Sequence, residues 1–398
     1  MSEHAGPAPH NALHKFIAGD RRMGVLLPFD LEDWTAQWGS LRSSMLKGPA
    51  PEFTRDEWAY LIGFLDPHTL TGFFEQTFGA DAQGGSLACI YKPRGNVSVW
   101  LPNNASLLGP LTLVLISLTG SPIWAKAGSR TDDLAGAFVR YALAKLPPGT
   151  LREYLSAHVR IEQFGRSDPR GAEMARWASS RVVFGSDAGV DAVDALPHDP
   201  ASRLFGFGDH RSEAWVHADR LSDNDVLTLG RVFAIYGRAG CTSPARVVLI
   251  DGTPNQCLTL RERLILQWKR IMPRPPAMHH ASQNIMNSQL ARAQGWDATL
   301  APDNSAVLLT GTVTTPEVPG LWALPIVPAT MEACLATLPP NIQTVGHHLS
   351  DPHEPGLLSS VTRTHVKRYV PLARMHHFGA IWDGWEFWRE LFEVVEIG

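Results

Sequence analysis

From residue 86 onward the chain alternates short apolar runs with longer amphipathic segments, and that alternation restricts the fold more than any other feature. Val97-Ser98-Val99-Trp100-Leu101, Pro122-Ile123-Trp124-Ala125 and Arg181-Val182-Val183-Phe184 read as strands. Between them Ala105 to Leu118 reads as a buried helix, and Thr131 to Leu146 as a second, capped by Thr131 or Ser129 and closed by Pro147-Pro148-Gly149. A helix-strand unit follows over 150–163, and Gly185-Ser186-Asp187 opens a short helix. Strands that alternate with helices imply parallel sheets covered on both faces. The expected class is α/β.

The same grammar continues with Ala214-Trp215-Val216-His217 as a strand, 223–236 as a helix, 245–250 as a strand and Leu258 to Met272 as an amphipathic helix. Pro273, Pro275 and Pro276 break the chain before a helix at about 280–294. Strand-like runs return at Ala306-Val307-Leu308-Leu309 and Ile342-Gln343-Thr344-Val345. Before all this, residues 1–85 read as a mostly helical lead-in, with Leu31, Trp34, Trp38 and Leu41 at helical spacing. A soft domain boundary falls near Gly208 to Ser212. No fixed-period repeat and no low-complexity tract is present.

At 398 residues and 44% hydrophobic content the chain can bury two sizeable cores. A net charge of −4 without a Lys/Arg block argues against nucleic acid as the main partner. The 4 cysteines include no C-x-x-C pair, which argues against a disulfide framework and a cysteine zinc site and fits a reducing cytoplasm. Met1-Ser2-Glu3-His4-Ala5-Gly6-Pro7 lacks the charged and apolar regions of a secretion signal. The uncharged stretch from Asn96 to Ala125 is long enough to span a membrane, but Pro102, Pro110, Pro122 and two adjacent Asn residues favour strand, turn, buried helix and strand.

The chemistry concentrates in Gly240-Cys241-Thr242-Ser243-Pro244. A thiol in a Gly/Pro turn, beside exposed backbone N–H groups, suits a nucleophile better than packing. Cys89 in a strand-like run, and Cys257 and Cys334 in helical patterns, read as packing. Three further motifs lie at strand ends. Pro102-Asn103-Asn104-Ala105 offers a side-chain amide to a developing oxyanion, or equally a helix cap. Lys126-Ala127-Gly128-Ser129-Arg130 offers a cation and a hydroxyl to ribose or phosphate, against a lysine that merely snorkels from a strand end. Gly185-Ser186-Asp187 suits a pyrophosphate at a helix start, or an ordinary turn. All four are expected to follow a strand and open toward a helix, at carboxyl ends where ligands bind. No G-x-G-x-x-G, Walker-type loop or G-x-S-x-G occurs. The adjacent pairs His279-His280, His347-His348 and His376-His377 diverge on any regular element, so no metal site is expected.

Taken in order, Pro102-x-Asn104, Lys126-x-x-Ser129, Gly185-Ser186 and Gly240-Cys241-x-Ser243-Pro244 resemble the aldehyde dehydrogenase superfamily. Two C-terminal stretches are similar to the LuxC-type acyl-CoA (fatty-acid) reductases within it: Gln343-Thr344-Val345-Gly346, and Arg368-Tyr369-Val370-Pro371-Leu372-Ala373-Arg374 followed by Ile381-Trp382-Asp383-Gly384. The resemblance implies an aldehyde-dehydrogenase-like fold of two parallel-sheet α/β domains with the active site in the cleft between them. After the lead-in of 1–85, residues 86–210 would bind the nicotinamide cofactor, 211–365 would carry the catalytic cysteine, and 366–398 would pack back on the cleft.

On that resemblance Cys241 is the nucleophile, and Asn104 forms the oxyanion hole with the Cys241 backbone N–H. Lys126 and Ser129 lie beside the adenosine ribose, Gly185 and Ser186 near the pyrophosphate. Arg130 adds charge for the 2′-phosphate of NADPH, with NADH the alternative. Where oxidative members carry a glutamate base in Leu-Glu-Leu-Gly-Gly-Lys, the matching stretch here is Phe205-Gly206-Phe207-Gly208-Asp209-His210. That absence suits a reductase, because an activated water would hydrolyse its acyl enzyme. Ala105 stands where the family leads one to expect Pro, and Ala127-Gly128 replace bulkier residues. The expected reaction is reduction of an acyl-CoA or carrier-protein thioester to an aldehyde. Chain length and general acid stay open, as does oligomeric state, with homo-oligomers common in the superfamily. Two rival readings are a cysteine-dependent acyltransferase or hydrolase without nicotinamide, and a non-catalytic scaffold retaining the fold.

Overall fold

The structure, a computed structural model, describes residues 11–82, 84–103, 105, 107–128, 133–237, 240–316 and 320–397. By internal contacts the chain divides into one unit drawn from 1–208 and 378–398 and another from 209–377.

The first unit opens with a hairpin rather than a helix, β1 (Ala12–Ala18) and β2 (Arg21–Leu27). Gly19, at φ 64°, makes the tight turn that pairs Ala18 with Arg21. Helices α1 (Leu31–Met45), α2 (Arg55–Phe64) and α3 (Pro67–Phe78) follow, capped by the side chains of Asp30, Thr54 and Asp66. Leu31, Trp34, Trp38 and Leu41 form the buried stripe of α1. Strands β3 (Ala80–Asp81) and β4 (Cys89–Pro93) join the hairpin and the C-terminal strand Phe392–Glu396 in a mixed sheet.

The rest of this unit is the regular alternation: β5 (Val97–Trp100), α4 (Leu108–Ser117), β6 (Ile123–Ala127), α5 (Leu134–Lys145), α6 (Thr150–His158), β7 (Val159–Gln163), α7 (Arg170–Trp177), β8 (Ser180–Phe184), α8 (Asp187–Asp194) and β9 (Arg203–Phe207). Among the described residues these strands make an all-parallel sheet in the order β7-β6-β5-β8-β9. In chain order that is third, second, first, fourth, fifth. Successive crossovers therefore run outward from β5 on one side and then restart at β8 on the other. The carboxyl ends of β5 and β8 flank this reversal, the place where open α/β sheets bind ligands.

The uncharged stretch resolves into β5, α4 and the start of β6, and α4, a helix of 10 residues buried except at Leu108, is too short to cross a bilayer. Among the described residues no helix is long and apolar enough to span a membrane. Helix α5 is capped by Asp133, whose carboxylate accepts from Gly136 N at 2.8 Å. Thr131 and Ser129, the expected caps, lie outside the described residues. Asp133 takes the role because a carboxylate adjoining the first turn also complements the helix dipole.

The second unit contains β10 (Arg211–Val216), α9 (Asp223–Ala234), β11 (Pro244–Ile250), α10 (Pro254–Ile271), α11 (Met278–Ala293), β12 (Asp297–Leu300), β13 (Val307–Thr310), β14 (Ala323–Ala329), α12 (Met331–Ala336), β15 (Ile342–His348), α13 (Pro355–Thr362) and β16 (Arg368–Pro371). Its sheet runs β12-β13-β14-β11-β10-β15-β16, parallel except for β12 at one edge. Ala214, Val247, Leu249 and Ile326 pack one core against α9 and α10, while Trp215, Val248 and Val327 pack another on the opposite face. Two filled faces are what near-continuous apolar strands require.

Candidate active site

The cysteine turn is built by the approach of α9 to β11. Helix α9 ends at Ala234, Gly237 follows at φ 53°, and Pro244 opens the strand. The turn therefore follows a helix and enters a strand, the reverse of the expected order, and lies at the amino end of β11. Ser243 N donates to Gly240 O at 3.0 Å to close it. A Cβ on Gly240 would sit 2.9 Å from Tyr236 Cβ, so only glycine fits there without displacement.

Cys241 is half-buried. Its carbonyl accepts from the Ser212 hydroxyl at 2.5 Å, and that hydroxyl accepts from Thr344 N at 3.2 Å. The next residue is held from the other side. His376 Nε2 lies 2.7 Å from Val232 O; a carbonyl only accepts, so Nε2 carries the proton. Nδ1 is then left to accept from the Thr242 hydroxyl, also at 2.7 Å. Burial pushes His376 down to about 4, with Arg368 adding to the shift and the bond to Val232 opposing it. The ring is neutral, and Tyr236 packs edge-on against it, centroids 5.3 Å apart.

A further layer fixes His376. Arg368 Nη1 donates to Thr344 Oγ1 at 3.3 Å and to Met375 O at 3.0 Å, while Nη2 donates to His377 O at 3.0 Å. Met375 packs where Gly346 has no side chain: a Cβ there would lie 2.2 Å from its sulfur. Thr344, Gly346 and Arg368 belong to the C-terminal stretches that carried the family resemblance, so those motifs brace the cysteine turn. Trp382-Asp383-Gly384-Trp385 is structural in another way. Asp383 at φ 51° and Gly384 at φ 76° form a tight hairpin turn, with Trp382 and Trp385 exchanging backbone bonds at 2.9 Å.

The other thiols differ. Cys257 and Cys334 are buried, and burial raises both, Cys257 to about 11. Cys89 is half-buried in β4.

In the first unit the three other motifs do leave carboxyl ends of neighbouring strands, β5, β6 and β8. Asn104, Ser129 and Arg130 lie outside the described residues. The cap position of α4 is Leu107, without a side-chain cap bond. Lys126, the penultimate residue of β6, is half-buried, its ammonium 5.4 Å from the centre of the Phe164 ring, and its pKa is lowered by burial and then by Arg166. Gln163 donates to Gly128 O at 2.6 Å. Gly185 donates to Phe207 O at 3.0 Å, and Ser186 caps α8 by accepting from Gly189 N at 3.2 Å. Phe205 to Phe207, which begin the stretch standing where oxidative relatives carry a glutamate base, lie in β9, where Phe207 stacks on Phe184 at 4.8 Å and meets Phe387 edge-on at 5.4 Å. Among the described residues no cluster of three or more His, Cys, Asp or Glu is placed to hold a metal.

Reading residues alone missed His376 and Ser212. His376 was visible only as half of a histidine pair. Its partners Thr242 and Val232 lie 134 and 144 residues away in sequence, so no local signal marked it.

The architecture is that of the aldehyde dehydrogenases. A lactaldehyde dehydrogenase structure superposes with a TM-score of 0.61 at 14% identity, covering 92% of this chain and 85% of that one. The NAD-dependent aldehyde dehydrogenase from Sinorhizobium meliloti gives 0.61 at 14%, covering 93% and 82%. Lactaldehyde dehydrogenase from Escherichia coli gives 0.62 at 13%, covering 92% and 85%. No curated protein sequence matches the chain. The profile of the acyl-CoA reductases (LuxC) matches residues 88–313, more than half of it. The chain belongs to the acyl-CoA reductase (LuxC) family.

Proposed function

We propose that this protein reduces an acyl thioester, carried on CoA or a carrier protein, to an aldehyde through a thioester on Cys241, with NADPH as reductant. The braced turn at Cys241 carries the reading. A nucleophile must be reachable and held: Cys241 is half-buried, with its own carbonyl anchored by Ser212 and the next residue by His376, whereas Cys257 and Cys334 are buried and burial raises their pKa.

Cys241 Sγ, as thiolate, would attack the thioester carbonyl carbon, expel the carrier thiolate and keep the acyl group as an enzyme thioester. A free cysteine, with pKa about 8.5, is only a few per cent ionised at neutral pH, so the turn must favour the anion. Asn104 and the Cys241 N–H would hold the oxyanion. The cofactor fits the first unit: the reversal of strand order lies between β5 and β8, with Lys126 at the end of β6 and Gly185 and Ser186 at the end of β8. Lys126 and Ser129 would meet its ribose, Arg130 its 2′-phosphate, and Gly185 and Ser186 its pyrophosphate. When bound, NADPH supplies the hydride that reduces the acyl group. The stretch Phe205-Gly206-Phe207, lacking the glutamate that oxidative relatives carry there, supports a reductase that does not activate water. Aldehyde release by cleavage of its bond to Sγ returns the cysteine.

Intact-protein mass spectrometry tests this. Incubation with acyl-CoA without NADPH should add one acyl mass that NADPH removes, with aldehyde appearing. Cys241→Ala should abolish both; aldehyde formation at the parent rate by that variant overturns the assignment. An adduct lost to water as free acid, indifferent to NADPH, would instead favour a hydrolase.

A further inference from the structure

Helix α11 is built inside out. Its inward face carries Asn284, Asn287, Ser288 and Ala291, all buried, while Met278, Ile285, Met286 and Leu290 face outward. Met278 is 86% exposed and Met286 62%. The buried amides are bonded: Asn284 Nδ2 donates to Asn304 O at 2.8 Å, and Gln283 Nε2 donates to Asn287 Oδ1 at 3.1 Å. A surface helix normally turns its apolar stripe to the core. Here Met286 and Leu290, one turn apart, and Met278 and Ile285, two turns apart, line the opposite side and leave an apolar face in water.

The charge around that face has one sign. From Arg263 to Trp296 the sequence holds no Asp or Glu, in a chain with 39 acidic residues among 398. Arg270 at the end of α10 and Arg274 in the connection to α11 are exposed and form no ion pair among the described residues. Arg292, in the last turn of α11, donates through Nη2 to Ala298 O at 2.8 Å. The acids that follow, Asp297 and Asp303, are already paired with Arg261 and Lys269. The pair of Lys269 with Asp303, next to the Asn304 carbonyl that holds Asn284, also ties the end of α10 to the middle of α11.

We propose that α11 docks on an anionic lipid surface, with Met278, Ile285, Met286 and Leu290 entering the acyl boundary and Arg270, Arg274 and Arg292 meeting headgroup phosphates. Lying on a bilayer needs no spanning helix, only apolar area beside cations. A second copy fits less well, because a twofold contact sets this face against itself and brings arginines together with no acid between them. Protein interfaces draw on rigid aromatic anchors, and α11 contains no Phe, Tyr or Trp. The face also leads toward the cysteine turn: Gly320 lies against Asn287, the neighbouring Leu321 carbonyl lies against Gly237, and Leu321 and Ile235 are exposed. Docking does not depend on the chemistry of Cys241.

Vesicle sedimentation of the full chain tests it, comparing equal parts phosphatidylcholine and phosphatidylglycerol with phosphatidylcholine alone. Binding should be at least about tenfold stronger on the charged vesicles and should fall as salt is added. Met286→Glu and the double variant Arg270→Glu, Arg274→Glu, all at exposed positions, should each weaken it at least about tenfold while leaving the unfolding curve unchanged. Cys241→Ala should bind vesicles as the parent does, so failure of the acyl-transfer reading leaves this one standing. No vesicle binding, equal binding to uncharged vesicles, or unchanged affinity in both variants overturns the proposal. A dimer seen in sedimentation velocity that Met286→Glu dissolves assigns the face to a second copy and overturns it equally, as does binding to poly-glutamate in place of vesicles, which assigns it to an acidic protein.

Discussion

Protonating His376 should unlatch the cysteine turn, and the acid sensitivity this predicts can be worked from the structure. The folded ring is held neutral, pushed down to about 4, while an exposed histidine titrates near 6.5. Between these values the unfolded chain binds a proton that the native chain refuses. Stability must then fall as pH drops through that window, at about 1.4 kcal/mol per unit, for a total of about 3 kcal/mol. Above about 6.5 and below about 4 this residue contributes no slope. His376→Gln is the informative change, because a glutamine amide can donate to Val232 O and accept from Thr242 yet cannot titrate. The readout is the difference in unfolding free energy between parent and variant, measured by urea titration across the window. The variant should hold its stability better toward acid, and alkylation of its Cys241 should vary less with pH over the same range. His376→Ala should do worse everywhere. It orphans a buried carbonyl and the Thr242 hydroxyl, each worth about 1–3 kcal/mol. Parallel pH profiles for parent and His376→Gln would refute the argument.

Two other consequences are direct. Gly346→Ala places a methyl against the Met375 sulfur and should destabilise by about 1–3 kcal/mol, as overpacking does; Met375→Ala in the same chain should recover part of that loss, and a strictly additive double mutant would show that the two do not compete for space. In the native protein at neutral pH, iodoacetamide should modify Cys241 and leave Cys257 and Cys334 untouched until denaturant is added, which peptide mapping would show.

The α/β class could be read from the sequence because each central strand of the first unit is short, apolar and bounded by turn residues, and α4 between them is apolar on every side. Elements that break such rules could not. Strand β14 sits between β13 and β11 yet contains Pro325 and Pro328, residues that normally argue against a central strand. Buried apolar neighbours on both faces override the lost N–H donors there. The opening hairpin escaped notice because its strands lack clean alternation. Lys15 and Arg22 interrupt the apolar residues, and the stronger helical spacing of Leu31 to Leu41 dominates the reading of that region.

The candidate site shows the same division, and for a physical reason. Gly240, Cys241 and Pro244 are neighbours in sequence, so their turn could be seen as a turn. What holds it comes from Ser212 in β10, Thr344 and Gly346 in β15, Arg368 in β16 and His376 after that strand. Contacts of such sequence separation leave no local spacing to detect. They surfaced only as resemblance, in stretches whose residues carry no evident chemistry of their own. The structure supplies the missing account: Arg368 fixes the carbonyls of Met375 and His377, Gly346 admits Met375, and His376 is thereby delivered to Thr242. A thiol that must add to a carbonyl gains from a turn that cannot shift, and here that rigidity is assembled from strands β10 and β15 and a neutral histidine rather than from the turn itself.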